Sequence, residues 1–488
     1  MRRIVPAFLS ITILAAFGLA SGCSPADAPT KPPKVAPSPT QTTQQPKATV
    51  AGDQARGGVP ESSGKTDAQS VTPNRGVDPK QLTDVVKEEI KGGEASSGPT
   101  PLPYLWLPTE ASLIKDEPFT VNVPLGLSPI TGFVPLSNPM TKKKVELGKQ
   151  LYFDARVSKD GTVSCATCHN PEKGWTDQFD SSIGILGQKG SRNSPTVLNT
   201  VYGRSMFWDG RAPSLEGQAQ GPVQNKIEMG DQSYKEIIER LRTIKGYREQ
   251  FQVVFGTDVT LDGMAKAIAA FERTALSGNS KYDQYERGQD EPSLKLLSDS
   301  EKRGMVMFGL RLRTDDDFKA GVTPRKANCT SCHAGQNFSD EQFHNLGVGW
   351  NTKEAKFADL GRFVIAPVGT KNSADIAAFK TPTVRDITRT APYMHDGSEK
   401  TLEAVVEFYD KGGIANPHLD ADMKPLKLTA QEKADVVAFM KALTGEEIKV
   451  ELPKLPVGVD GKAPNPRDAL TPPGAKTALA DPHRLLSR

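Results

Sequence analysis

Cys165, Cys168 and His169 stand in the order Cys-x-x-Cys-His, and Cys329, Cys332 and His333 repeat it. Two thiols at this spacing can add to both vinyl groups of one porphyrin, and the histidine that follows is then placed to bind the iron from the proximal side. The chain has 5 cysteines, and only Cys23 lies outside the two motifs. Exported cysteines usually pair as disulfides, and zinc usually draws its four ligands together; neither habit accounts for a histidine directly after each pair. The sequence therefore predicts two covalent c-type haems, one on Cys165, Cys168 and His169 and the other on Cys329, Cys332 and His333.

The N-terminus reads as an export signal. Met1-Arg2-Arg3 leads an apolar run from Ile4 to Ala20, which predicts a signal peptide over 1–22 rather than a membrane span. Ser21-Gly22-Cys23 resembles a bacterial lipoprotein box, with Ala20 where leucine is usual. Cys23 is therefore expected to carry lipid and to tether a periplasmic protein, with no other attachment to the membrane. From 23 to 100 the chain is rich in proline, threonine, serine, glutamine, glycine and lysine and nearly devoid of aromatics, the composition of a disordered stalk. Lysine and arginine total 61 against 58 acidic residues, so there is no basic excess suited to nucleic acid.

The elements that must position the two motifs fall in matched places. Met264, Ala267, Ile268 and Phe271 mark one amphipathic helix, and Val436, Phe439, Met440 and Leu443 another that stops at Gly445. Ser298 with Glu301, and Thr429 with Glu432, have the spacing of capping boxes. From His169 to Leu261 is 92 residues and from His333 to Thr429 is 96, so each motif is followed by a closing helix at a similar remove. Sliding the chain on itself by 187 positions aligns Ser194-Pro-Thr-Val with Thr381-Pro-Thr-Val, Trp208-Asp-Gly with His395-Asp-Gly, and Ser214-Leu-Glu with Thr401-Leu-Glu. The motifs themselves are 164 apart, so the second unit is longer by 23 residues. The expected fold is mostly α: two cytochrome c-like haem domains in tandem, an internal duplication over 101–280 and 281–450, followed by an irregular polar tail over 451–488.

Leu402, Val405, Val406 and Tyr409 share one helix face, and Tyr409 aligns with Pro222 at the same offset. If this helix covers the distal side of each haem, Tyr409 can ligate the second iron, whereas Pro222 has no side-chain donor and leaves the first open to peroxide or oxygen. Glu228, close after Pro222, is the candidate for moving a proton between the peroxide oxygens. Met229 beside it is a competing thioether ligand for the same iron.

These segments, CATCHNPEKGWTD, SIGILGQKGSRNSPTVLN, FWDGRAPSLEGQAQGPVQNKIEM, CTSCHAG, KTPTVRDITRTAPYMHDGS and TLEAVVEFY, resemble the bacterial di-haem cytochrome c peroxidase and MauG superfamily across about residues 140–445. The resemblance implies that Glu228 is the distal glutamate, Gln218 its neighbouring glutamine and Trp208 the tryptophan between the haems. It implies further that Tyr409 replaces a methionine ligand of the second haem, as in MauG, and that one calcium ion is held by Asn193 and the carbonyls of Thr390 and Pro392. Ile185 stands where the peroxidases carry a histidine that ligates the first iron at rest.

The function expected is reduction of hydrogen peroxide at the His169 haem, with electrons passed through Trp208 from the His333/Tyr409 haem. A small c-type cytochrome or another periplasmic donor would supply them. The alternative is MauG-like oxidation of a protein substrate through a bis-ferryl state, and a third reading is a non-catalytic electron-transfer cytochrome.

Overall fold

The computed structural model describes residues 116–313, 321–366 and 370–474, all within 72–488, one of the two units into which the chain divides. The signal peptide over 1–22, lipidated Cys23 and the stalk to 100 lie outside the described residues, as do 101–115 of the first expected domain and 475–488 of the tail.

Each half is built on a pair of crossed helices. In the first half α1 (Lys142–Phe153) buries Val145, Leu147, Leu151, Tyr152 and Phe153. The other longer helices of this half are α2 (Leu215–Gln224), α3 (Tyr234–Arg242), α4 (Lys245–Phe255) and α5 (Leu261–Glu272). α5 starts where the Thr260 hydroxyl accepts a hydrogen bond from Gly263 N, and it packs along α1. The second half holds α6 (Lys281–Arg287), α7 (Asp299–Phe308), α8 (Leu402–Asp410) and α9 (Ala430–Ala442). The Ser298/Glu301 box opens α7 and the Thr429/Glu432 box opens α9, and in each both reciprocal hydrogen bonds are formed.

A glycine makes each crossing possible. Gly148 of α1 lies against the Ala267 carbonyl and the Phe271 side chain, and Gly304 of α7 lies against the Asp435 carbonyl and Phe439. A side chain at either glycine would collide with backbone of the opposing helix. Gly148→Val should therefore cost on the order of 1–3 kcal/mol or more through overpacking, seen as a lower melting temperature of the holoprotein; an unchanged melting temperature would contradict this packing.

The halves also agree in small details of backbone. Asn199 and Asp386 both take left-handed φ (61° and 55°), as do Phe207 and Met394 (68° and 69°). Met206 bridges to Ala212, and Tyr393 bridges to Glu399. Ser214 caps α2 and Thr401 caps α8. Every one of these pairs is 187 positions apart. The extra length of the second half is spent on two short ladders. β1 (Phe343–His344) pairs antiparallel with β4 (Phe379–Lys380), and β2 (Trp350–Asn351) pairs with β3 (Lys356–Phe357).

The chain after α9 returns to the first half. Ile448, Val450 and Leu452 pack on its core, and Leu470 is buried within it. Ala469 O accepts from Thr167 Oγ1 at 2.6 Å, beside the first haem motif. The segment has only a 3-10 turn, Pro466–Leu470, but it is not uniformly polar, because Leu455, Ala469 and Leu470 are buried. Isolated apolar anchors have no period, and periodicity is what sequence reading detects.

Candidate di-haem active site

Both motif histidines are prepared as neutral ligands. His169 ends the helical turn Cys165–Cys168, and its Nδ1 donates to Pro195 O at 2.9 Å with Ser194 Oγ at 3.2 Å. His333 Nδ1 donates to Phe338 O at 3.0 Å. A carbonyl can only accept, so the proton sits on Nδ1 and the lone pair on Nε2, the atom that binds iron. Burial pushes the His169 imidazole down to about 4 and lowers His333 as well, which keeps both rings neutral. Cys165, Cys168, Cys329 and Cys332 form no disulfide. Around the second motif a cavity of about 490 Å³ is lined by Cys329, Cys332, His333, Leu402, Val406 and Tyr409. Thiol pair, neutral histidine and apolar enclosure fit a covalent haem.

The distal helices differ as their sequences do. Tyr409 lies near the end of α8 in that cavity, and burial lifts its phenol well above the ordinary value. Binding to ferric iron would have to displace that proton. Pro222 lies inside α2 at the matching place.

Glu228 sits on the loop that follows α2. Asn225, which ends that helix, shapes the loop: its Oδ1 accepts from Ile227 N and Glu228 N, and its Nδ2 donates to Glu228 Oε1 at 2.7 Å. Ile185 is buried, and its N donates to Glu228 O at 3.1 Å, so the segment holding Ile185 lies on the Glu228 loop. Loss of water raises the Glu228 carboxyl above the usual carboxylate range, against the pull of Arg211 and Arg192. The charge of Glu228 is also felt at the Cys168 sulfur, which brings it to the first haem motif. Gln218 lies one turn before Pro222 on α2 and shares no hydrogen bond with Glu228 among the described residues. Met229 is buried in the first core, with its carbonyl accepting from Lys159 N.

Trp208 borders the same cavity as Tyr409, and its Nε1 donates to Asn193 O at 2.9 Å. Its counterpart in the repeat, His395, is buried and stacks on Phe379 with ring centres 3.6 Å apart; His395 O accepts from Asn193 N. Asn193 thus ties the two matching loops together. Asn193, Thr390 and Pro392 all border this cavity, and Asn193 Nδ2 is spent on Phe179 O.

Several residues that matter here were not singled out from the sequence. Asn225 is one; a polar residue straight after a helix was the available signal. Arg192 donates to Asp359, from the longer part of the second half, at 2.7 Å and to Asp209 at 2.7 Å, while Arg211 also holds Asp209. These two cations set the field at Glu228. His344 bridges Asp420 at 2.7 Å and Asp340 at 3.0 Å near the second motif. Such clusters are assembled from distant segments and have no sequence spacing.

Two like-folded halves, each with a thioether motif and a neutral histidine, define a di-haem c-type redox protein. A family profile described as di-haem cytochrome c peroxidase matches residues 142–291. The methylamine utilization protein MauG of Methylorubrum extorquens is 38% identical over 324 residues, covering 66% of this chain and 84% of that protein. The cytochrome c551 peroxidase of Nitrosomonas europaea is 37% identical over 320 residues, covering 65% of this chain and 85% of that protein. Among solved structures, a MauG-like protein associated with microbial copper homeostasis is similar with a TM-score of 0.55 at 32% identity, covering 68% of this chain and 95% of that one. The chain belongs to the di-haem cytochrome c peroxidase and MauG superfamily. It is an oxidoreductase of the peroxidase class and carries two c-type haems.

Proposed function

We propose that this enzyme reduces hydrogen peroxide to water at the His169 haem, drawing electrons from the His333 haem. The observation that carries this reading is the unlike pair of distal helices, Pro222 on α2 against Tyr409 on α8, with Glu228 held by Asn225 beside the first motif. Bound in the two sites, the haems supply iron that changes oxidation state one electron at a time. The side chains do the rest. Pro222 and Ile185 present no donor atom, so peroxide has no protein ligand to displace on the first distal side. Glu228 takes the proton from one peroxide oxygen and returns it to the other, and Gln218 on α2 orients the peroxide. Trp208 relays electrons between the halves, and Tyr409 closes the second site.

Electron paramagnetic resonance of the resting protein tests this directly. The expected spectrum combines one high-spin, five-coordinate ferric haem with one low-spin, six-coordinate haem; two low-spin haems would overturn the reading.

Tyr409 also favours a second reading, oxidation of a protein substrate in the manner of MauG. A phenolate is a harder, anionic donor than a thioether and stabilises oxidised iron. Rapid turnover with a reduced small c-type cytochrome supports the peroxidase, and slow turnover with long-lived oxidising equivalents supports the protein oxidase.

Asn193, with the carbonyls of Thr390 and Pro392, would hold calcium. Support comes from their place on one cavity and from carbonyls that accept no hydrogen bond among the described residues. Metal analysis before and after dialysis against a chelator checks it. The export signal and the lipoprotein box support a periplasmic enzyme on a Cys23 lipid anchor; loss of membrane association in Cys23→Ser is the expected result.

A further inference from the structure

Glu272, the last residue of α5, is 5% exposed, yet its Oε2 has no hydrogen-bond partner among the described residues. The neighbouring cation, Arg273, engages Glu216 through one nitrogen, while its Nε and Nη1 have no hydrogen-bond partner among the described residues. Arg273 Nη2 pairs with Glu216 at 2.8 Å, and Asn138 Nδ2 donates to the same carboxylate at 2.8 Å.

The repeat shows what Glu272 faces. Gly148 lies against Ala267 and Phe271, and Gly304 lies against Asp435 and Phe439, so the two closing helices correspond at an offset of 168. At the same offset Arg273 corresponds to Lys441 and Glu272 to Met440, while their ion-pair partners Glu216 and Glu403 keep the 187 offset of the distal helices. Met440 lines the second haem cavity together with Cys329, His333 and Tyr409. Glu272 accordingly borders the first haem site. Its charge reaches the Cys165 sulfur and the Tyr152 hydroxyl, and that hydroxyl donates to His169 O at 2.7 Å.

The ionisable groups around Glu272 are Tyr152 of α1, Cys165 of the first motif, Glu216 of α2 and Arg273 of its own chain segment. Burial lifts Tyr152 far above neutral pH, Cys165 is a thioether once haem is attached, and Arg273 and Glu216 offset each other. Burial pushes Glu272 up to about 8, with Arg273 pulling it down and Glu216 pushing it up. An electron added to the iron places one more negative charge in the same poorly screened space and raises the carboxylate's affinity for a proton.

We propose that Glu272 is a redox-linked proton site of the first haem. When ferric iron gains one electron, the Glu272 carboxylate takes one proton from solvent; when the iron loses that electron, the proton leaves. This rests on haem attachment at His169 and not on which substrate the enzyme oxidises or reduces, and it supplies a second stored proton beside the one handled by Glu228.

The test is potentiometric titration of the holoprotein with a chemical reductant, without peroxide, across neutral to alkaline pH. The first haem's midpoint potential is expected to fall as pH rises through about 8. Glu272→Gln should lose that dependence. Glu272→Met, which copies the second half at Met440, should lose it too and guards against a variant that fails to fold. Redox-difference infrared spectra should show a protonated carboxyl band gained on reduction in the native protein and absent in Glu272→Gln. A potential independent of pH in the native protein, or the same slope and band in both variants, would overturn the proposal. A protein that showed the slope but reduced no peroxide would keep it while sinking the peroxidase reading.

Discussion

Glu228→Gln is expected to slow the reaction with peroxide by about 10²–10⁴-fold, the usual contribution of a positioned acid–base group, while leaving both haems attached and their resting spectra unchanged. Glutamine keeps the shape of the side chain but cannot carry a proton between two oxygens. The pH dependence has a definite sign. Burial raises the Glu228 carboxyl above the usual carboxylate range, and a group that must first accept a proton works only when ionised. Activity in the native enzyme should therefore fall on the acid side at a pH above that of an ordinary carboxylate, and Glu228→Gln should lack this limb. Stopped-flow mixing with peroxide across a pH series measures both effects. A native rate retained in Glu228→Gln would remove the carboxylate from the chemistry.

Tyr409→Met is expected to raise the midpoint potential of the second haem by on the order of 0.1 V or more, since axial ligands spread haem potentials over roughly 0.8 V and methionine lies on the high side. Tyr409→Phe should instead leave that iron high-spin. The phenol is buried and holds its proton tightly, so its coordination must release a proton and should weaken as the solution becomes acidic. Potentiometry and optical spectra of the two variants decide the matter; spectra and potential identical to the native protein would show that Tyr409 only fills space.

The link between these residues and their surroundings is electrostatic as much as steric. Asp359, in the longer second half, fixes Arg192 at 2.7 Å, and Arg192 with Arg211 opposes the desolvation of Glu228. The proton affinity of the first site is thus set partly by a residue 131 positions away in the chain.

Residues close in sequence carried most of what could be read without coordinates. A thioether motif is five residues long, capping boxes span four, and helix faces repeat every three or four, so the two motifs, the boxes at Ser298 and Thr429, and the faces of α5, α8 and α9 were all legible. The repeat was legible as well, because two copies of one plan preserve the same turn residues at one offset. What depends on segments meeting from far apart was decided only by tertiary structure. Pro195 and Phe338 select the histidine tautomers, Asn225 grips Glu228, Arg192 joins Asp209 to Asp359, and the tail from 446 docks on the first half. The physical reason is common to all of them. A hydrogen bond or an ion pair depends on distance in space, and spacing along the chain encodes that distance only within a turn or a helix.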